Sequence, residues 1–246
     1  MIQKNNLILV LIGAIFLLSA CDDKKNSHFL RFSTSAEYPP FEYKDHGVIK
    51  GFDIDLAHLI ARELGKEAIF DSMQFSTVLP AVSSGQDDVA IATITITEER
   101  KKNFDFSEPY FFEGMAAVYK TDQPVTNLSQ LKGKKLAVQL GTVMEIWLRK
   151  NYPDAEITAL DNNNQAVEAL MGGHVDAVVM DGVQGRVFSK KHPGLSYALV
   201  AQADNGYALV LPKGSPLTQQ INNALQKLEA RGELKKLETK WLKGDL

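Results

Sequence analysis

Cysteine is almost absent from this sequence: one occurs among 246 residues, so neither an internal disulfide nor a CxxC metal site can hold the fold together. The five histidines are scattered singly, which disfavours a histidine metal site. There is no excess of basic residues either, because 27 Lys and Arg face 30 Asp and Glu and the net charge is −3 at pH 7. Without a basic surface, nucleic-acid binding has no electrostatic support. We therefore expect no metal, no cofactor and no nucleic-acid partner.

The composition that remains is that of an ordinary folded protein, with 45% hydrophobic and 23% charged residues. This balance excludes disordered, collagen-like and coiled-coil chains, and the length suits one or two domains. The sequence contains no GxSxG motif, and its one cysteine, Cys21, lies in the apolar leader described next. A hydrolase built on a serine or cysteine nucleophile is therefore disfavoured.

The apolar run over residues 7–18 is too short to cross a membrane, since a spanning helix needs about 20 residues. A preceding Lys4 and small residues after the run are typical of a secretory leader. The segment Leu18-Ser19-Ala20-Cys21 resembles the bacterial lipoprotein signal, in which the leader is removed before the cysteine and the thiol is acylated. The alternative is a plain secretory leader that contains a chance cysteine.

We thus predict a signal peptide over residues 1–20 and a lipidated Cys21 followed by a tether, together residues 21–28. Residues 22–28 contain no apolar side chain, as a flexible tether would. Asp22 resembles the signal that retains such lipoproteins at the inner membrane of many Gram-negative bacteria. The expected location is periplasmic or at the cell surface, with an inner-membrane anchor in a Gram-negative host.

From Phe29 onward, the pattern predicts short strands that alternate with helices. The first unit has strands at 29–33 and 88–96, a loop at Tyr38-Pro39-Pro40, and helices from the N-cap Asp53 to Gly65 and over 77–83. A strand over 115–119 leads to a second unit, with strands at 135–139, 157–160 and 175–180 and helices at 142–150 and 166–171. A strand over 207–211 and helices over 217–231 and 234–241 close the chain. Such alternation predicts mainly parallel sheets, which bind ligands beyond the carboxyl ends of their strands.

Polar residues follow the first unit's buried strand. Thr93, Thr95 and Thr97 alternate, so we expect their hydroxyls on one face, and Arg100 follows within a turn. An arginine beside hydroxyl groups could bind the carboxylate of a small acid. The alternative is that the threonines serve strand propensity and that Arg100 belongs to the solvated charged run over 98–102.

Asp181 follows the corresponding strand of the second unit, where it could bind an ammonium group or merely start a helix. Gly141-Thr142 resembles an anion-binding turn between strand and helix, but it lacks the Walker lysine and the GxGxxG spacing of nucleotide sites. Tyr38 and Phe75 are either core aromatics or walls of a binding site. Together with Arg100, these residues predict a site for a free amino acid.

Six segments, in order along the chain, resemble the family-3 solute-binding proteins of polar amino-acid ABC importers: 33–42 (STSAEYPPFE), 51–57 (GFDIDLA), 94–100 (ITITEER), 105–110 (DFSEPY), 139–145 (QLGTVME) and 176–181 (DAVVMD). The resemblance implies an α/β fold of the type II periplasmic-binding-protein class. Its two lobes, each a mainly parallel sheet flanked by helices, would be joined by two hinge strands. Lobe 1 would comprise 29–116 plus 207–246, and lobe 2 would comprise 117–206.

By position, Arg100 matches the family's arginine for the ligand α-carboxylate, and Asp181 matches its acid for the α-ammonium. The other residues that the resemblance assigns to ligand binding are Thr93 and Thr95 beside these groups, Thr142 and Val143 from lobe 2, the aromatic walls Tyr38 and Phe75, and Ser35, Glu37, Gln139 and Met144. The implied function is a monomeric, non-enzymatic receptor that clamps a free L-amino acid and delivers it to a membrane permease with its ATPase.

Two positions depart from the family pattern. Ser35 stands where many receptors for basic amino acids have an acid, and Met144 stands where a glutamine is frequent. Arginine is the first predicted ligand, because residues 34–43 (TSAEYPPFEY) look most like arginine-binding members. The missing charge could come from one of three other acids, Glu37, Glu42 or Asp161. Glutamine or histidine is the next choice.

Two rival functions use similar architecture. Periplasmic cyclohexadienyl or arogenate dehydratases resemble this fold with an acid and a base added to the cleft, yet only Glu37 or Glu145 could be nominated and no pair is evident. A sensor or chaperone-like module would be expected to carry a transmembrane or kinase segment, and none follows Leu246. A separate lipoprotein that serves a permease is therefore preferred.

Overall fold

The structure is a computed structural model that describes residues 28–202 and 205–243. The predicted signal peptide, Cys21 and the tether up to residue 27 lie outside the described residues. Within the described ranges, no helix combines the length and the apolar character that a bilayer crossing requires.

Short strands and helices alternate along the chain, as the pattern predicted. The strands are β1 (Phe29–Thr34), β2 (Glu37–Tyr38), β3 (Glu42–Asp45), β4 (Val48–Lys50), β5 (Glu67–Ser72), β6 (Val89–Ala90), β7 (Phe104–Phe106), β8 (Met115–Lys120), β9 (Lys135–Gln139), β10 (Glu156–Leu160), β11 (Ala177–Asp181), β12 (Leu195–Ala201) and β13 (Val210–Pro212). The helices are α1 (Phe52–Glu63), α2 (Phe75–Ser83), α3 (Glu98–Lys101), α4 (Val143–Asn151), α5 (Asn163–Met171), α6 (Gly182–Lys191), α7 (Leu217–Ala230) and α8 (Glu233–Trp241), with a 3₁₀ turn at Leu128–Leu131.

The strands form two five-stranded sheets, one in each lobe. The lobe 1 sheet has the order β5-β1-β6-β13-β7, and the lobe 2 sheet has the order β10-β9-β11-β8-β12. Each sheet is mixed rather than mainly parallel, because the strand that enters it from the other lobe runs against its neighbours. That strand is β13 in lobe 1 and β8 in lobe 2. The two-lobed α/β fold that the sequence predicted is therefore present, with half of its strand pairings antiparallel.

Alternation along the central strands buries both faces of the lobe 2 sheet. In β11, Ala177 and Val179 face one apolar cluster, while Val178 and Met180 face another. Helices and loops cover both faces, as sheets with parallel strands require. Each large apolar side chain so buried contributes about 1.5–3 kcal/mol, so this packing holds the lobe rigid around whatever its strand ends carry.

Two segments connect the lobes, and the structure describes them over residues 107–114 and 205–209. These two crossing segments pair with each other: the Tyr110 N–H donates to the Tyr207 carbonyl at 2.9 Å, and the Tyr207 N–H donates to the Phe111 carbonyl at 2.8 Å. Tyr207 therefore forms isolated bridges rather than starting a strand, and β13 begins only at Val210. The predicted strand over 207–211 is correct only at its end.

Two local predictions were wrong in lobe 1. Asp53 does not cap α1; the N-cap is Gly51 at a φ of 136°, where an added Cβ would lie 2.1 Å from the Phe41 carbonyl oxygen. This close approach buries Asp53 instead of leaving it at a solvated helix end. The predicted strand over 88–96 shrinks to β6, because Thr93 turns the chain with a φ of 48°.

Several elements escaped the sequence analysis. They are the small sheet β2-β3-β4, in which Tyr38 is a strand residue rather than a loop residue, strands β5, β7 and β12, and helix α6. Helix α6 begins with glycine and contains Gly185, whose added Cβ would lie 3.1 Å from the Tyr197 ring. Its glycines serve close packing against β12, and they hid the helix because glycine disfavours helices in isolation.

Candidate functional site

A narrow cavity with about 10 Å³ of free volume lies between the two lobes. Ten residues that the sequence predicted for the site line it: Tyr38, Phe75, Thr93, Thr95 and Arg100 from lobe 1, and Gln139, Thr142, Val143, Met144 and Asp181 from lobe 2. The other two predicted residues are not brought to the cavity. Ser35 is buried behind it, and Glu37 is exposed.

Arg100 supplies the positive charge of the cavity. It lies on α3, whose N-cap Thr97 accepts the Arg100 backbone N–H at 3.2 Å. Its guanidinium donates Nη1–H to the Thr95 carbonyl at 2.8 Å and Nη2–H to the Gly141 carbonyl of lobe 2 at 3.1 Å. Burial lowers the pKa of Arg100 to about 10, so the side chain stays charged at neutral pH. A partly buried guanidinium whose hydrogen bonds, among the described residues, go to neutral carbonyls favours an anionic partner.

Asp181 supplies the negative charge from the opposite lobe. It ends β11 at the N-cap position of α6, yet its side chain makes no cap hydrogen bond. The carboxylate instead faces the cavity and accepts a hydrogen bond from the Tyr38 hydroxyl of lobe 1. Burial raises the pKa of Asp181 to about 6, and the nearby hydroxyls of Tyr207 and Tyr38 oppose that rise. Asp181 therefore stands at a helix start, as the alternative proposed, but its carboxylate does not cap the helix.

The start of α4 forms the lobe 2 wall of the cavity. Thr142 caps this helix by accepting the Glu145 N–H at 3.3 Å, while Glu145 accepts the Gly141 N–H at 2.8 Å. The N–H groups of Val143 and Met144 lie in the first helical turn and have no intrahelical acceptor. Such groups favour an anion, because the positive end of the helix dipole adds to their hydrogen bonds.

Thr93 is the strained residue of the site. Its φ of 48° is rare for a β-branched residue and costs about 1–3 kcal/mol. The turn separates the three threonines that alternation had placed on one face, and that prediction was wrong. Thr93 and Thr95 line the cavity, whereas Thr97 caps α3 and lies outside its lining.

The aromatic residues serve both functions that the sequence left open. Tyr38 belongs to the lobe 1 core and also lines the cavity, and Phe75 is half-buried against a smaller apolar cluster beside α2. Close to Phe75, the Gln74 amide donates across the cleft to the Asp161 carboxylate at 3.1 Å. The Gln139 amide donates to the Asp161 backbone carbonyl at 3.3 Å. Asp161 therefore lies at the rim, beside the lining residue Gln139.

Sequence reasoning gave other roles to two buried acids beside the site, Asp53 as a helix cap and Glu42 as a charge for a basic ligand, and did not predict that they meet. Asp53 accepts the Thr93 N–H at 2.9 Å and the Tyr110 hydroxyl at 2.8 Å. Burial raises the pKa of Asp53 to about 6 and, together with the Asp53 carboxylate, raises that of Glu42 well above its ordinary value. The signal was present, since both acids stand in segments that carry the family resemblance, PPFE and GFDID. Their proximity required the fold.

Comparison with known proteins is consistent with this geometry. Residues 30–244 match the family described as bacterial extracellular solute-binding proteins, family 3, and the chain belongs to this family. It is 33% identical to the arginine-binding extracellular protein ArtP of Bacillus subtilis (strain 168), over 99% of each chain. As a member of an extracellular family, the protein acts outside the cytoplasm, in the periplasm or at the cell surface.

Solved structures show the same two-lobed fold. An ancestral arginine-binding protein bound to arginine is 40% identical, with a TM-score of 0.85 over 88% of this chain and 99% of that one. An ancestral arginine-binding protein bound to glutamine has a TM-score of 0.84, at 40% identity, over 88% of this chain and 98% of that one. The ancestral amino acid-binding protein AncCDT-1, a precursor of cyclohexadienyl dehydratase, is 34% identical, with a TM-score of 0.81 over 87% and 95%. The predicted family and fold class are thereby confirmed.

Proposed function

We propose that this protein is the substrate-binding component of an amino-acid ABC importer and that it clamps a free L-amino acid between its lobes. The observation that carries the proposal is the cavity with a buried guanidinium, Arg100, from one lobe and a buried carboxylate, Asp181, from the other. An α-amino acid has one anionic and one cationic group on the same α-carbon. Both charges lose water in the cavity, so each needs an opposite charge with its hydrogen bonds satisfied.

In the binding scheme, the ligand carboxylate accepts hydrogen bonds from the Arg100 guanidinium, and from Thr142 and the Val143 N–H at the start of α4. The ligand ammonium donates to the Asp181 carboxylate and to oxygen atoms of Thr93 and Thr95. These contacts compete with two that the lobes make directly, from Arg100 to the Gly141 carbonyl and from Tyr38 to Asp181. Ligand contacts win because they pair Arg100 and Asp181 with opposite full charges, whereas the direct contacts pair them with a neutral carbonyl and a neutral hydroxyl.

Closure of the lobes follows from the placement of the two charges. A ligand satisfies Arg100 and Asp181 together only when lobes 1 and 2 approach, so it stabilises the closed arrangement by its differential affinity. The paired crossing segments are the natural hinge, since they are the two connections between the lobes. We propose the lobe boundaries at 116/117, in β8 just after the first crossing segment, and at 206/207, within the second.

L-Arginine is the proposed first ligand, with glutamine and histidine next. Arg100 and Asp181 are the charged groups of the described lining, and they neutralise a zwitterion without leaving charge for a basic side chain. Of the three acids proposed for that role, Glu37 is exposed and Glu42 is buried beside Asp53. Asp161 at the rim, next to Gln139, is therefore the partner that we assign to a distal guanidinium.

The dehydratase alternative is less supported. Neither of the acids nominated for proton transfer, Glu37 and Glu145, belongs to the described lining of the cavity. Glu145 is instead engaged by the Gly141 N–H and by Arg149 at 3.0 Å. The relatives compared above are named for binding amino acids, which favours a receptor over an enzyme.

We further propose that Cys21 carries a lipid anchor, that this anchor lies in the inner membrane in a Gram-negative host, and that the monomeric receptor serves a permease with its ATPase. Labelling of growing cells with a radioactive fatty acid tests the anchor. Incorporation into the wild type and its loss in Cys21→Ser is expected, whereas equal labelling of both would contradict it.

A thermal-shift screen of the full chain against the twenty amino acids tests the function. A ligand at 100 times its dissociation constant adds about 2.7 kcal/mol of stability, which is a clear shift. We expect the largest shift from L-arginine. No shift with any amino acid would contradict the proposal, and turnover of prephenate or arogenate would support the dehydratase instead.

A further inference from the structure

Two carboxyl groups lie beneath the lobe 1 wall of the cavity without a part in the binding scheme. Glu42 opens β3 and Asp53 is the second residue of α1, and they are 1% and 0% exposed. They meet because α1 starts against the loop before β3. The N–H groups of Phe52 and Asp53 donate to the carbonyls of Pro40 and Phe41 at 3.0 and 2.9 Å.

Asp53 controls the backbone of a cavity residue. Its Oδ2 atom accepts the N–H of Thr93, the residue with a φ of 48°, at 2.9 Å. A left-handed conformation at a β-branched residue persists only where the surroundings hold it. The same Oδ2 accepts the hydroxyl of Tyr110, which belongs to the first crossing segment, at 2.8 Å. One carboxylate thus joins α1, the cavity wall and the hinge.

A single shared proton accounts for the burial of both acids. Glu42 Oε2 and Asp53 Oδ1 are buried and have no hydrogen-bond partner of accepted geometry within the described part of the chain. Burial and Asp53, followed by Asp181 on β11, raise the pKa of Glu42, while the Thr93 hydroxyl lowers it. Two adjacent buried anions repel each other, so one acid keeps its proton. Asp53 already accepts two hydrogen bonds, which leaves Glu42 as the protonated partner.

We propose that Asp53 is a positioning residue of the amino-acid site, acting through the backbone of Thr93, and that Glu42 keeps its own proton, so that Asp53 stays an ionised acceptor inside the lobe. This inference rests on the function proposed above. It assigns ligand affinity to a pair of acids that do not line the cavity.

The first experiment measures L-arginine binding by isothermal titration calorimetry in Asp53→Asn of the full chain. An amide can turn an N–H toward the Thr93 N–H, and it cannot offer two anionic lone pairs. We expect affinity to fall at least tenfold. The matched control is Asp88→Asn, which alters another lobe 1 aspartate that accepts a backbone N–H, from Arg31 at 3.0 Å, away from the cavity. Its affinity should stay within twofold.

A second experiment separates positioning from general destabilisation. Asp53→Asn is combined with Thr93→Ala, which keeps the strained backbone, and with Thr93→Gly, which adopts a positive φ without strain. We expect Asp53→Asn to cost at least tenfold in the Thr93→Ala background and less than threefold in the Thr93→Gly background. An equal loss in both backgrounds would overturn the role of Thr93.

A third experiment tests the proton. Glu42→Gln keeps a neutral donor for Asp53, whereas Glu42→Leu removes it. We expect L-arginine affinity within threefold of the wild type for the glutamine variant and at least a tenfold loss for the leucine variant. Equal affinity of the two variants would contradict the shared proton.

The outcomes also distinguish this inference from the proposed function. If Arg100→Ala abolishes L-arginine binding while Asp53→Asn binds normally, the site stands and the positioning role falls. If the wild type binds none of L-arginine, L-glutamine and L-histidine, the proposed function fails and the positioning role fails with it.

Discussion

The two lobes follow one chain order but build their halves of the cavity differently. Apart from the small sheet β2-β3-β4, which lies between β1 and α1, the order in lobe 1 is β1-α1-β5-α2-β6, and in lobe 2 it is β9-α4-β10-α5-β11. In both lobes, at the end of the sheet away from the cavity, the aspartate just before the third strand accepts a backbone N–H from the first strand. Asp88 accepts from Arg31 at 3.0 Å, and Asp176 accepts from Lys135 at 2.8 Å.

At the end of each sheet that faces the cavity, the lobes differ in how far apart in the sequence the contacting residues stand. Lobe 2 builds its anion-binding wall locally, through the capping of α4 by Thr142 and Glu145. Lobe 1 starts its first helix at an uncapped Gly51 and builds its wall from distant residues, through Asp53 and Thr93. One lobe is therefore preformed by its local sequence, and the other depends on a buried network.

The largest expected effect tests the charge of lobe 1. Arg100→Ala should weaken L-arginine binding at least about a hundredfold, because removing one member of a buried charge pair typically costs ~3–5 kcal/mol. Titration calorimetry measures the change, and the far-ultraviolet spectrum serves as the control for folding. Affinity near that of the wild type would remove Arg100 from the site.

Asp181→Ala tests the opposite charge in lobe 2. We expect a loss of similar size, again about a hundredfold, because the ligand ammonium would remain buried without a counter-charge. Folding should be intact, since the side chain faces the cavity. Matching losses for the two variants would show that the lobes contribute equally, and a loss for one alone would break the comparison.

The local wall of lobe 2 is tested by Thr142→Ala, measured by urea unfolding and L-arginine titration. Loss of the N-cap should lower the free energy of unfolding by about 1 kcal/mol. Affinity should fall as well, because the start of α4 frays at the cavity. Asp176→Ala in the same lobe is the control, since it should cost stability without changing affinity.

The smallest expected effect concerns pH. The pKa of Glu42 is raised in the folded protein by burial, by Asp53 and by Asp181, so its favourable contribution is complete below its unfolded value and is lost as pH rises toward its folded value. Glu42→Gln does not titrate. Its stability relative to the wild type should therefore increase between pH 4 and pH 8 in urea unfolding. A constant difference would argue against a buried protonated Glu42.

Much of the site could be predicted because its residues stand in short segments at strand ends. The segment from Gln139 to Met144 and the residue Asp181 stand at the ends of strands that are recognisable from apolar runs. Tyr38 ends the short strand β2, and Phe75 starts α2. Ser35 and Glu37 were predicted for the site because they stand close to Tyr38 in the sequence. In the structure Ser35 is buried outside the cavity lining, and Glu37, the neighbour of the buried Tyr38, is exposed.

The part of the site that escaped prediction depends on residues far apart in the chain. A β-branched run over 88–96 predicts a strand, and the turn at Thr93 becomes visible only when Asp53 and Tyr110 are brought beside it. Helix α6 also escaped prediction, because its glycines disfavour a helix locally. In the fold these glycines allow close packing on β12.

Local pattern was enough to establish the family, the alternating order of strands and helices and most of the cavity lining, because each of these is written in contiguous residues. The fold was needed for everything that depends on two segments meeting. The antiparallel entry strands, the placement of Arg100 opposite Asp181, and the burial of Glu42 against Asp53 belong to this second group. Such contacts join residues from distant parts of the chain, and their geometry comes from packing rather than from the spacing of residues along it.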